Sequence, residues 1–113
     1  MQTIVELHEY LKRSEKLLRS SERQSIVGHL ASNPKSGDLM KGTGGIRKLR
    51  WTAQGKGKSG GVRVIYYFHN KAVPLFLLTV FGKGEKTNLS KRDRNKLTIF
   101  TSVLVKSYGE AHE

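Results

Sequence analysis

The chain has 113 residues, 36% of them hydrophobic, with no cysteine and 21 Lys and Arg against 9 Asp and Glu, a net charge of +12. That length predicts a single domain over residues 1–113 with one core. Disulfides and thiolate metal sites are excluded, no apolar run is long enough to span a membrane, and MQTIVELHEYLK reaches charge too early for a signal peptide, so a cytoplasmic protein without membrane contact is expected.

In chain order, Thr3 to Val5 reads as a short first strand. Leu7, Tyr10, Leu11, Ser14 and Leu18 follow helical spacing and predict a helix over 7–18. Ser21 with Gln24 three residues on resembles a capping box for a second helix, whose face is Ile26, Val27, Leu30 and Ala31 and whose end is Asn33-Pro34. These two form a helical hairpin. PKSGDLMKGTGG, residues 34–45, is a loop by composition. Ile46 to Trp51 alternates as a strand, with Arg47, Leu49 and Trp51 on one face and Ile46, Lys48 and Arg50 on the other. After a glycine-rich loop, Val62–Phe68 and Leu75–Phe81 are two more strands, apolar on both sides and therefore covered at least in part on both. Ser90 caps a last helix with a stripe of Leu97, Phe100, Thr101, Leu104, Val105 and Tyr108, ending at Gly109.

The predicted fold class is α+β: a small antiparallel sheet of three to four strands, with an N-terminal helical hairpin and a C-terminal helix. The helices cover one face and the cations occupy the other.

The charge is unevenly distributed. From Leu39 to Gly84 there is no acidic residue, while Lys41, Arg47, Lys48, Arg50, Lys56, Lys58, Arg63, Lys71 and Lys83 all fall inside. A segment of one sign favours a polyanion, most often nucleic acid. Arg63 shares a strand face with Ile65 and Tyr67, far in sequence from any carboxylate, and a guanidinium binds phosphate in a bidentate fork. Lys56 and Lys58 sit among Gly55, Gly57, Gly60 and Gly61, where the backbone can approach an anion closely; Gly82-Lys83-Gly84-Glu85-Lys86 repeats the arrangement. Solvation of a loop is the ordinary role of such lysines. Tyr67, on Arg63's face, is the aromatic best placed to stack on a base, although aromatics on apolar strands are mostly core.

Gly55, Gly57 and Gly60 satisfy G-x-G-x-x-G, but a strand follows where a dinucleotide fold needs a helix. Gly57-Lys58-Ser59 fails as a phosphate loop because Thr52 stands where the earlier glycine belongs. His8, His29, His69 and His112 show no metal spacing, and His69 alone is an acid–base candidate. No metal and no cofactor are expected.

Three stretches, NPKSGDLMKGTGGIRKLRW, GKGKSGGVRVIYYF and FLLTVFGKGEKTNLS, resemble the RelE/HigB-type toxins of bacterial type II toxin–antitoxin modules, and the HigB-like branch most. The resemblance implies a small fold of the microbial-ribonuclease kind. It implies a metal-independent endoribonuclease (an mRNA interferase) that cleaves mRNA in the A site of the 30S subunit and stops translation. It also implies a cognate antitoxin, often with a helix-turn-helix domain, and a free toxin that is monomeric. The family's basic positions fall on Lys48, Arg50, Lys56, Lys58, Arg63 and Lys83, with Lys41 a further RNA contact from the acid-free segment. Two positions depart from the pattern: Gly84 replaces an arginine, and Thr87 to Ser90 lacks a tyrosine. Lys86 is the substitute cation for that arginine.

In such chemistry a 2′-hydroxyl attacks the adjacent phosphate. Lysines crowded by like charge lose protons more readily, so Lys56 or Lys58 is assigned to the base or to phosphate binding. Arg63 stabilises the phosphorane, and Lys83 or Lys86 serves the leaving oxygen. The competing readings are a ParE-like inhibitor of DNA gyrase and a basic nucleic-acid-binding module without catalysis.

Overall fold

The structure is a computed structural model that describes residues 1–52, 61–82, 84 and 89–112. The elements are β1 (Ile4–Glu6), α1 (His8–Leu17), α2 (Ser20–Ser32), β2 (Asp38–Leu39), β3 (Ile46–Trp51), β4 (Val62–Tyr67), β5 (Leu75–Gly82) and α3 (Lys91–His112). The α+β class and the order of the expected elements hold, while the sheet is larger than predicted. It has five strands in the order β1-β5-β4-β3-β2 and is mixed, because β1 runs parallel to β5. Leu75 N–H donates to Thr3 O at 2.8 Å and Leu7 N–H to Leu77 O at 3.1 Å, so β1 is tied in at both ends. The fifth strand, β2, lies inside the stretch read as loop. Its Asp38 and Leu39 pair with Lys48 and Arg47.

The expectation that all helices share one face is corrected. One core layer joins Tyr10, Leu18, Ile26 and Leu30, from α1, α2 and the two-residue link between them, to Leu49, Val64, Tyr66, Leu77 and Val80 of the sheet. A second layer on the opposite face joins Ile46, Ile65, Tyr67, Phe76, Leu78 and Phe81 to Leu97, Leu104, Val105 and Tyr108 of α3. The sheet is a sandwich filling, which is why every residue of β4 is buried and why β4 and β5 carry apolar side chains on both faces. A bulge between Ile65 and Tyr66 shifts the β4–β5 register. Leu77 and Val80, three apart, therefore face the same layer. On its outer side α3 leaves Ile99, Phe100 and Val103 exposed. Among the described residues no helix is long and apolar enough to cross a membrane.

The local signals match the structure with small shifts of position. The α2 cap is Arg19, whose N–H donates to Glu22 Oε1 at 3.0 Å, rather than the Ser21–Gln24 pair. Ser90 caps α3 as expected, its Oγ accepting from Asp93 N–H at 3.1 Å. The helix does not stop at Gly109 but continues to His112.

Candidate nucleic-acid interface

β4 is the central strand, and Arg63 enters it at its second position. The register sets Arg50 of β3 directly opposite Arg63 on one side and Phe81 of β5 on the other. Alternation puts both arginines, with Lys48, on the face that also carries Ile46, Ile65 and Tyr67. Arg63 is only 8% exposed, Lys48 is half-buried and Arg50 is exposed. Like charges directly opposite each other in an antiparallel pair are destabilising by ~0.2–1 kcal/mol. The usual relief is a carboxylate, and among the described residues neither arginine has one at ion-pair distance. Arg63 donates from Nη1 to Val62 O at 3.5 Å, the outer limit of a hydrogen bond. Its charge is held in a rigid strand with donors to spare.

The same end of the sheet launches both Gly/Lys segments. Trp51 pairs with Val62, and Val62 with Gly82, so three strand termini lie side by side next to the two arginines. Lys56, Lys58, Lys83 and Lys86 belong to the connections leaving these termini and lie outside the described residues.

Tyr67 is corrected. It is 4% exposed and packed in the second core layer, where burial pushes its phenol up from the ordinary tyrosine range. Its ring stacks on His69 at 6.2 Å, and its hydroxyl lies 3.3 Å from His69 Nδ1, so no face is free for a base. His69 stands six residues past Arg63, just beyond the end of β4, which corresponds to ~20 Å along the strand direction. His69 is therefore not within reach of chemistry at Arg63. Among the described residues no group of three or more His, Asp or Glu is placed to hold a metal ion.

Much of the longest motif is architectural. Thr43 is buried; its hydroxyl donates to Met40 O at 2.6 Å and accepts from Ile46 N–H at 3.1 Å. This closes the β2–β3 hairpin. Gly45 has φ +138°, and a Cβ there would lie 2.7 Å from Phe68 O, so glycine is required. At Gly37 a Cβ would lie 2.8 Å from the Tyr66 ring. Gly37 N–H donates to Tyr66 Oη at 2.8 Å, and that hydroxyl donates onward to Pro34 O at 2.8 Å. Arg47, though in the acid-free segment, turns to this other side and donates from Nη1 to Gly37 O at 2.9 Å. It anchors the loop and is no part of the cationic face.

One cation of the surface carries no mark in the sequence. Arg94 of α3 lines an open cleft of about 210 Å³ together with Asp38, Leu39, Met40, Lys41 and Lys48. Lys41 is exposed in the hairpin turn, Lys48 stands on β3, and Arg94 reaches in from the helix. Helical spacing placed Arg94 off the apolar stripe of α3, which in a sequence is indistinguishable from a solvated position.

A mixed sheet thus lies between an N-terminal helix pair and a C-terminal helix, with two opposed arginines at one end. The chain aligns in space with the E. coli toxin RelE, solved as an arginine double mutant in the free state: TM-score 0.52, 20% identity, 70% of this chain and 80% of that one. A family model described as the RelE toxin of the RelE/RelB toxin–antitoxin system matches residues 9–111. The chain belongs to the RelE toxin family.

Proposed function

We propose that this toxin is a ribosome-dependent endoribonuclease, of the HigB-like branch by its three motifs, that cleaves mRNA in the A site without a metal ion. The observation that carries the reading is the Arg50–Arg63 pair: two guanidiniums opposed across neighbouring strands, one of them buried, with no carboxylate partner among the described residues. Such a pair is relieved by an anion, and a phosphodiester supplies one. The 2′-hydroxyl of one nucleotide attacks the adjacent phosphorus and closes a 2′,3′-cyclic phosphate. The bond to the 5′-oxygen breaks, and that oxygen leaves as a hydroxyl after taking a proton. The Arg63 guanidinium stabilises the phosphorane. Lys56 or Lys58 takes the 2′-hydroxyl proton or holds the phosphate, and Lys83 or Lys86 protonates the leaving oxygen. Lys41, Lys48 and Arg50 hold the RNA backbone. A cognate antitoxin, of the helix-turn-helix kind, silences the toxin in the cytoplasm of resting cells.

The test is induced expression of wild type and Arg63→Ala, with growth, translation and RNA 5′ ends followed together. Wild type arrests growth and leaves new 5′-hydroxyl ends within translated messages. Removing one such preorganised donor slows cleavage about 10²–10³-fold. Growth arrest by both proteins with transcripts intact would sink the nuclease reading and favour a protein target.

A further inference from the structure

The cleft shared by the β2–β3 hairpin and α3 is a second place where the cations converge. It takes side chains from three separate elements: Lys41 from the turn, Lys48 from β3 and Arg94 from the helix. Against these three cations stands one carboxylate, Asp38, which forms no ion pair with a described residue. Arg94 Nε is buried and has no hydrogen-bond partner. A buried donor left unmade is costly, and an anion seated in this cationic cleft would complete it. Lys48 belongs to both sites: it lines this cleft and stands two residues from Arg50 on the same strand face. The cleft is thus continuous with the Arg50–Arg63 end of the sheet, and α3, otherwise a packing element, brings a guanidinium to it.

We propose that Lys41, Lys48 and Arg94 form a seat for a phosphodiester of the RNA backbone, beyond the phosphate that is cut, with Arg94 as its positioning residue. This rests on the endoribonuclease reading above. The seat fixes the direction in which the strand crosses the sheet. A fork from the helix and two ammonium groups from the hairpin grip one phosphate from two sides, and the scissile phosphate falls at Arg63. The same chemistry is offered by the message and by ribosomal RNA.

The test compares wild type, Arg94→Ala, Arg94→Lys and Lys106→Ala for binding to a short 2′-O-methyl oligoribonucleotide, which resists cleavage, and to vacant ribosomes. Each is titrated from low to moderate salt. Lys106, exposed and 12 residues further along α3, controls for loss of charge alone. Arg94→Ala is expected to bind about five- to tenfold more weakly at low salt. The slope of log affinity against log salt should become shallower by about 0.7, the value for one phosphate contact on a single strand. Arg94→Lys restores the slope and only part of the affinity, which a packing role would not produce, and Lys106→Ala changes neither. Loss confined to the oligonucleotide assigns the message; loss confined to the ribosome assigns ribosomal RNA. Arg94→Ala that matches wild type on both probes overturns the seat and leaves the nuclease reading standing. Wild type that binds neither probe also overturns it, and if it then cuts no mRNA on programmed ribosomes the reading of function falls too.

Discussion

Arg63 shows what a single residue gains from its position in the sheet. An arginine at a strand end in solvent is ordinary; here the central strand holds it buried beside a second arginine. The repulsion is a standing cost in the unbound protein and a source of affinity once an anion arrives. This yields a prediction that separates stability from function. Arg50→Gln relieves the opposed charges and should stabilise the free protein by ~0.2–1 kcal/mol in low salt. The gain should fade near 1 M salt, where screening acts over about 3 Å. The same variant should bind RNA more weakly. Denaturant unfolding at two salt concentrations measures the first effect, and a loss of stability at low salt would refute the claim that the pair is strained.

At the scale of elements, the hairpin from β2 to β3 carries most of the recognisable motif and none of the proposed bond-breaking chemistry. Its work is to hold Lys41 and Lys48 in place. Two substitutions test this. Gly45→Ala puts a Cβ 2.7 Å from Phe68 O at φ +138° and should cost ~1–3 kcal/mol. Tyr66→Phe removes the hydroxyl that bridges Gly37 N–H and Pro34 O and should cost ~1–3 kcal/mol, because both backbone groups lose their partner. Both should lower the midpoint of urea unfolding. An unchanged midpoint for Gly45→Ala would mean that the turn relaxes and that the motif is not structural. The elements are largely legible: helix and strand positions follow from periodicity, the start of α3 from Ser90 and the end of α2 from Asn33 and Pro34. The two-residue strand β2 was not. Nothing in Asp38-Leu39 marks a strand, which forms only because β3 presents a free edge to it.

At the scale of the whole molecule, one sheet is covered on both faces, and the tyrosines packed between α1 and the sheet report that burial. Burial pushes the Tyr10 phenol far above the usual tyrosine range, with Glu6 adding to the rise and Arg23 opposing it. Burial also raises Tyr66, against the pull of the Gly37 N–H and of Arg47. The folded state therefore keeps these protons when an unfolded chain, with tyrosines titrating near 10, releases them. Stability is complete below about pH 10 and declines above it, by up to ~1.4 kcal/mol per pH unit for Tyr10 alone. Tyr10→Phe should flatten that decline. Because the Tyr10 hydroxyl is buried without a hydrogen-bond partner, the variant should lose no stability at pH 7. Unfolding measured at pH 7, 10 and 11 checks both; a slope unchanged by Tyr10→Phe would mean that the phenol is not held neutral by the fold.

By itself the sequence determined the charge, the α+β order and the position of Arg63 within an apolar strand, since periodicity and composition are local. Only the tertiary structure decided which side chains meet. Strand pairing set Arg50 against Arg63, two residues 13 positions apart. Helix α3, packed on the face expected to be open, buried Tyr67 and brought Arg94 to Lys41 and Lys48. Such meetings depend on which faces are left to be covered after the sheet has formed, and no spacing along the chain encodes that.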